Sequence, residues 1–282
     1  SSQIIFIMNS IKKEIKKLYL KIYFFIQANC INLFRTLFIL KIKKNKINGK
    51  ISLLCPTRQR TNKFLRFIKS IIEHTENLNN LELLVLIDED EKFVSEYENL
   101  IEEINLKENF IKLYKKSLKS NPERMNFLYS KSNGEIILPV NDDMIFLTNH
   151  WDNYLRNDFN KCKLHEPFSV WLRCDRKYTY LDASAFPAVN RNWKNRLGYL
   201  SYPEFKNWYQ DTWICDLGRR TGLYVVSKKI LVKQFHANNF ENEIDDTHRI
   251  NHTKENIEFD DKIWLKTKEI RIKHSKKLKL NH

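Results

Sequence analysis

The stretch from Gly134 to Asp152, GEIILPVNDDMIFLTNHWD, constrains the fold more than any other part of the chain. An apolar run, Ile136 to Val140, stops at Asn141, Asp142 and Asp143, and a second apolar pair, Ile145 and Phe146, follows at once. Short apolar runs between turn formers read as buried strands. A buried strand that stops in adjacent carboxylates presents them at the carboxyl edge of a sheet, where open α/β sheets bind ligands. Close carboxylates repel unless a cation lies between them. A hard ion such as Mn²⁺ or Mg²⁺ answers that need, because it prefers oxygen ligands and keeps sites free for phosphate oxygens. An Asx-rich turn between two strands fits the same residues equally well.

Upstream, the chain alternates strand and helix. Lys50 to Pro56 reads as a strand, and Asn62 to His74 carries apolar residues at helical spacing. Leu81 to Ile87 reads as a second buried strand ending in Asp88-Glu89-Asp90; a helix over Phe93–Ile104, a short strand over Phe110–Tyr114 and a helix over Pro122–Ser132 follow. This order predicts a mostly parallel central sheet with helices on both faces. Pro139 inside the organising strand predicts a local edge or bulge. Neither a GxGxxG nor a GxxxxGK[ST] loop occurs, so a nucleotide bound here needs another device for its phosphates.

The second half is richer in aromatics. Trp151, Trp171, Trp193, Trp208 and Trp213, with Tyr178, Tyr180, Tyr199, Tyr202 and Tyr209, hint at an acceptor pocket, although core filling is the commoner role of any one ring. Trp208-Tyr209-Gln210-Asp211 leads into a helix over Thr212–Thr221 that ends at Gly222. An acid at a helix start stays ionised in the helix field, which suits a base and equally a cap.

Ten of the net fifteen positive charges lie in residues 1–50 and seven in 262–282, which leaves 51–261 at −2. A nucleic-acid enzyme concentrates its charge around the active cleft, so no nucleic-acid partner is expected. Residues 1–48 read as a basic amphipathic helical extension. Lys21, Gln27, Asn29, Asn32 and Arg35 interrupt its apolar stretch, which argues against a spanning helix. Contact with an anionic membrane surface fits, with Phe24, Phe25, Phe34 and Phe38 below the headgroups; packing on the core or on another subunit is the alternative. No cleavable leader is expected, and the initial serine reads as a trimmed start. Cys30, Cys55, Cys162, Cys174 and Cys215 are odd in number and form no CxxC, so neither a disulfide framework nor a zinc site is expected. A cytoplasmic location, peripheral to the membrane, fits best.

The segments ISLLCPTRQR, LELLVLIDED and ERMNFLYSKSNGEIILPVNDDMIF, in this order, resemble the nucleotide-sugar half of a family 2-like glycosyltransferase of the GT-A fold. The resemblance covers roughly residues 50–250 and implies a Rossmann-like GT-A domain over 49–261, with a nucleotide-sugar half (49–150), an acceptor half (151–261) and a basic tail (262–282). It implies that Pro56, Thr57 and Arg58 line the nucleotide pocket, that Asp88 contacts the base or ribose, and that Arg124 is the basic residue before the metal strand. Asn141-Asp142-Asp143 stands at the DxD position. Asp143 is then the metal ligand, Asn141 and Asp142 face the nucleotide sugar, and His236 joins the metal or diphosphate. Asp211 becomes the general base, with Asp216 and Glu204 as next candidates and Trp208 and Tyr209 beside the acceptor. The implied reaction moves a sugar from a UDP- or GDP-sugar to a hydroxyl of a glycan or lipid-linked acceptor, with Mn²⁺ or Mg²⁺ and with inversion, in glycan or cell-surface polysaccharide synthesis. Two departures are visible: Asn141 replaces the first acid, and Pro139 interrupts the strand. The charged ends leave a nucleic-acid-binding or nucleotidyl-transfer protein as one alternative, and Asn141 leaves a catalytically inactive sugar-binding domain as another.

Overall fold

The computed structural model describes residues 49–162, 165–175, 184–235, 245, 249 and 253–280. The expected amphipathic extension over 1–48, Tyr178, Tyr180 and His236 lie outside the described residues. Among those described, no helix is long and apolar enough to cross a membrane.

Strand β1 (Ile51–Pro56) leads into α1 (Thr61–His74), then β2 (Leu81–Ile87), α2 (Val94–Asn105), β3 (Ile111–Lys115) and α3 (Asn121–Lys131). All seven residues of β2 are buried, the pattern of a strand covered on both faces. β1 pairs in parallel with β2 and with β4 (Ile136–Pro139), and β2 in parallel with β3. Helix α3 starts as its sequence implies: the Ser120 hydroxyl accepts the Glu123 N–H, the Glu123 carboxylate accepts the Lys119 N–H, and Pro122 fills the first turn.

The start of β4 is tied down closely. Glu82, inside β2, accepts the Ser52 hydroxyl at 2.6 Å and the Asn133 and Gly134 N–H groups at 2.6 and 3.2 Å. Burial alone would raise its pKa. The hydrogen bonds from Ser52 and Asn133, with the Lys112 charge, outweigh burial and hold it below the ordinary value. A Cβ on Gly134 would come within 2.5 Å of the Ser52 hydroxyl and 2.6 Å of the Lys50 carbonyl, so only glycine fits here.

The second half is mixed rather than parallel. After β5 (Met144–Phe146) come α4 (Trp151–Phe159), β6 (Ser169–Cys174), β7 (Pro187–Asn190), α5 (Arg191–Leu197), α6 (Gln210–Thr221), β8 (Tyr224–Gln234), α7 (Lys254–Lys266) and α8 (Lys268–Lys279). The strands form one sheet in the order β3-β2-β1-β4-β7-β6-β8-β5. β7 runs antiparallel to β4 and β6, β8 parallel to β6, and β5 antiparallel to β8.

That order forces a curl. Pro139 and Met144 are five residues apart, a reach of about 17 Å at full extension. A flat sheet would separate β4 from β5 by four strand spacings, about 19 Å. The acids at 142 and 143 sit in the bridge between these strands. Pro139 follows from the same arrangement. Pairing with β7 covers only Ile136 and Ile137, while Val140 still donates to the Leu54 carbonyl. Pro139 thus turns its missing donor toward a side where β4 has lost its neighbour, the local edge its presence predicts.

Helices α7 and α8 extend into the stretch read as a basic tail. Helix α8 packs on α5 and α6 through buried Leu278 and Arg271, with the Arg271 guanidinium 3.6 Å from the Trp264 ring. Trp151, Trp193 and Trp213 are fully buried, and Trp171 stacks on Tyr224 inside a small apolar cluster. Four of the five clustered tryptophans therefore fill the interior, and only Trp208 reaches a cleft. Their density reflects core volume, not an acceptor pocket.

Candidate active site

Parallel strands β1, β2 and β4 stop in register, so the residues after them meet at one edge. There they line a cleft of about 860 Å³. Pro56, Thr57, Arg58, Asp88, Arg124, Asn141, Asp142 and Asp143 line it as one wall from the first half of the chain; Trp208, Tyr209, Asp211 and Glu204 line it as a second wall from later in the chain. Residues spread over more than 150 positions of chain are thus brought together, with His236 outside the described residues.

The acid that ends β2 organises the first wall. Asp88 is 4% exposed. Its carboxylate accepts Arg58 Nη1 at 2.6 Å and Arg124 Nη2 at 3.1 and 3.3 Å. Two guanidinium groups are so held at the cleft by one buried acid, a geometry suited to meeting an anion.

The two adjacent acids divide their work. Asp142 is buried, and its oxygens accept the Thr57 hydroxyl at 2.6 Å and Arg60 Nη1 at 3.1 Å. Because Thr57 donates its one proton to Asp142, Tyr97 must donate to Thr57, while the Arg60 N–H donates to Tyr97. This closed chain fixes the loop after β1. Arg60, read in the sequence only as part of a polar loop, also bonds Asp245 at 2.7 Å. Burial works against its charge, but the Asp142 and Asp245 carboxylates outweigh burial and raise its pKa. Asp142 thus braces the wall through Thr57 and Arg60. Asp143 Oδ1 accepts Gln234 Nε2 at 3.2 Å, and its carbonyl accepts the Phe235 N–H at 2.8 Å, so β8 aims this side chain.

Among the described residues no group of three or more His, Cys, Asp or Glu side chains could enclose a metal ion. The donor set still fits Mn²⁺ or Mg²⁺. Such an ion takes one or two carboxylates and draws its remaining ligands from water and substrate phosphates. Asp143 provides a carboxylate and Asn141 an amide oxygen, both at the cleft. The amide bond from Gln234 to Asp143 is the kind of outer support that orients a metal ligand.

The second wall hangs on α7. Asp260 is completely buried, and its carboxylate accepts three consecutive main-chain N–H groups: Lys206 at 2.7 Å, Asn207 at 2.9 Å and Trp208 at 2.7 Å. Tyr209 follows in the left-handed region, at φ 67°, and begins α6. Its ring stacks on Trp264 at 5.0 Å and its hydroxyl donates to Asp261. Burial, reinforced by that bond to an acid, pushes the Tyr209 pKa up to about 12. Tyr209 is thereby a strut with its ring and hydroxyl engaged, and Trp208 lines the cleft beside it. A non-glycine residue in this conformation persists only where its surroundings impose it.

The turn at Tyr209 puts Asp211 in the first turn of α6 and on the cleft. Its Oδ1 accepts the N–H and hydroxyl of Thr212 at 2.7 and 3.2 Å. Of the next candidates, Asp216 is bound to Arg220 at 2.6 Å and Arg271 at 3.1 Å and does not line the cleft, which removes it as a base. Glu204 lines the cleft and accepts the Tyr202 hydroxyl. Sequence reading missed Arg60 and Asp260. Neither sits in a recognisable pattern, since each acts through a partner more than 50 residues away.

No family model and no curated protein matches the sequence. Solved structures do resemble the fold. The mannosyltransferase PcManGT from Pyrobaculum calidifontis, in complex with GDP-Man and Mn²⁺, aligns with TM-score 0.54 and 13% identity, over 77% of this chain and 67% of that one. TarS of S. aureus aligns with TM-score 0.52 and 13% identity, over 67% and 37%. GalNAc-T7 with UDP, GalNAc and Mn²⁺ aligns with TM-score 0.53 and 12% identity, over 66% and 44%. The chain therefore spans less than half of TarS and of GalNAc-T7. These likenesses, far below the identity that carries activity, agree with the curled mixed sheet and its strand-end cleft: the chain has the GT-A fold, the architecture of these glycosyltransferases.

Proposed function

We propose that this protein is a glycosyltransferase that moves a sugar from a UDP- or GDP-sugar to an acceptor hydroxyl, with a divalent ion and with inversion, in glycan or cell-surface polysaccharide synthesis. The observation that carries this reading is one cleft with a strand-end carboxylate and a pair of acid-held arginines on one wall and a helix-start carboxylate on the other. The neighbours solved with GDP-Man or with UDP, each with Mn²⁺, support the choice of donor and metal class.

In this mechanism Arg58 and Arg124, fixed by Asp88, meet the donor's negative charge. Asp143 and Asn141 hold Mn²⁺ or Mg²⁺, which when bound neutralises charge on the leaving diphosphate. Asp211 takes the proton of the acceptor hydroxyl as its oxygen bonds to the anomeric carbon and the bond from that carbon to the phosphate oxygen breaks. Attack opposite the leaving group inverts the anomeric centre.

The test is thermal unfolding with a panel of UDP- and GDP-sugars, with and without Mn²⁺. Stabilisation by at least one donor, dependent on Mn²⁺, is the expected outcome; no shift with any nucleotide in the presence of Mn²⁺ overturns the reading. Residues 1–48, with Lys interleaved with Phe, support peripheral attachment to an anionic cytoplasmic membrane surface. Vesicle sedimentation of the full chain against a chain beginning at Lys50 tests this, and equal sedimentation rejects it.

A further inference from the structure

We propose that the acceptor carries an anionic group next to a sugar ring, and that Lys206, Asn256 and Phe259 receive it at the rim of the cleft. This rests on the glycosyltransferase reading above and assigns the acceptor's chemical class. The three arginines of the cleft each face a carboxylate: Arg58 and Arg124 face Asp88, and Arg60 faces Asp142. Lys206 faces none among the described residues. Its Nζ donates to the neutral Asn256 amide at 3.3 Å and lies 4.6 Å from the Phe259 ring centre.

Its position is fixed rather than incidental. The Lys206 N–H is held by buried Asp260 at 2.7 Å, and its carbonyl accepts the Asn121 N–H at 2.9 Å. An ammonium whose main chain is pinned on both sides, and whose side-chain partners are neutral, has donor capacity left for an anion. The second lysine of the cleft, Lys119, is exposed two residues before Asn121 and adds positive potential to the same rim.

Phe259 gives the ring contact. It lines a mostly polar cleft and is 38% exposed. The C–H face of a pyranose is the part of a sugar that gains from covering such a ring. In the reading above, the donor's charge is met by Arg58, Arg124 and the metal ligands. Lys206 belongs instead to the segment that leads into Asp211, the wall the acceptor approaches.

The experiment uses the full chain saturated with Mn²⁺ and with UDP or GDP, whichever binds, so that the donor site is filled. Saturation-transfer NMR then compares glucuronate, glucose 6-phosphate and methyl α-glucoside as probes. The charged sugars should give clear signals and the neutral one markedly weaker signals; the stronger of the two charged probes tells a carboxylate acceptor from a phosphorylated one. Lys206→Met should weaken binding of the charged probes by about 10- to 100-fold, the worth of a hydrogen bond to a charged group, and leave affinity for that nucleotide unchanged. Phe259→Ala should weaken the same probes. Equal binding of the neutral sugar, no charged sugar bound, or no loss in Lys206→Met overturns the proposal. Weakened nucleotide binding in Lys206→Met also overturns it, because the lysine then serves the donor. Failure of both UDP and GDP to bind the unaltered protein is a separate result, and overturns the glycosyltransferase reading itself.

Discussion

The two walls of the cleft are held by different means. On the wall proposed for the donor, side chains fix one another within a strand-end cluster: Asp88 with Arg58 and Arg124, Asp142 with Thr57 and Arg60. On the wall proposed for the acceptor, main-chain N–H groups of residues 206–208 hang on Asp260, more than 50 residues further along. Each of the side chains in the strand-end cluster holds a specific partner at the cleft, so on the proposed reading substitution there should act on donor binding. The acceptor wall hangs on one buried carboxylate, so substitution there should act on the placement of a whole segment.

The largest effect separates chemistry from binding. Asp211→Asn should lower sugar transfer by about 10²- to 10⁴-fold, the contribution of a positioned base, with donor affinity nearly unchanged. Transfer at the normal rate would reduce Asp211 to a helix cap, and joint loss of donor affinity would move it to the donor wall. Next, Asp143→Ala should weaken Mn²⁺-dependent binding of UDP or GDP by about 100-fold or more, beyond the ~10- to 100-fold lost when a residue that only supports a metal ligand is changed. Calorimetric titration in Mn²⁺ and in EDTA measures this, and an unchanged metal dependence disproves the assignment.

Asp260→Ala sharpens the contrast between the walls. Three half-buried N–H groups lose their buried acceptor, at about 1 kcal/mol each, so stability should fall by about 3 kcal/mol. Transfer should fall about 10- to 100-fold because the acceptor wall shifts, while UDP or GDP with Mn²⁺ still stabilises the variant. Equal losses of transfer and of nucleotide binding would mean that the walls are not independent. The smallest effect is expected for Asp216→Asn. This acid pairs with Arg220 and Arg271 away from the cleft, so transfer should change by less than about threefold and stability by about 1 kcal/mol. A loss of transfer like that of Asp211→Asn would return Asp216 to the role of base.

How far the site could be read beforehand follows the same division. Asp88, Asn141 and Asp143 stand directly after apolar runs, and local patterning shows where a strand stops, so these residues were visible one by one. That Asp88 clamps two arginines and Asp142 braces the loop after β1 was not visible, because it depends on which side chain of another loop comes within about 3 Å. The aromatics misled for a related reason. Trp193 and Trp213 look no different in sequence from Trp208, and only packing tells a fully buried ring from one at the cleft.

By itself the sequence determined the alternation of buried strands and amphipathic helices, the strand-end acids and the local edge at Pro139, because apolar periodicity and the geometry of proline act over a few residues. Only the tertiary structure decided that β5 crosses to the far edge and curls the sheet, that β7, β6 and β8 make its second half mixed, and that the basic stretch after residue 253 becomes two packed helices whose Asp260 carries the acceptor wall. Those outcomes depend on contacts between segments tens of residues apart. A long-range contact forms when it satisfies buried donors and apolar faces that local sequence exposes, without naming the partner that will cover them.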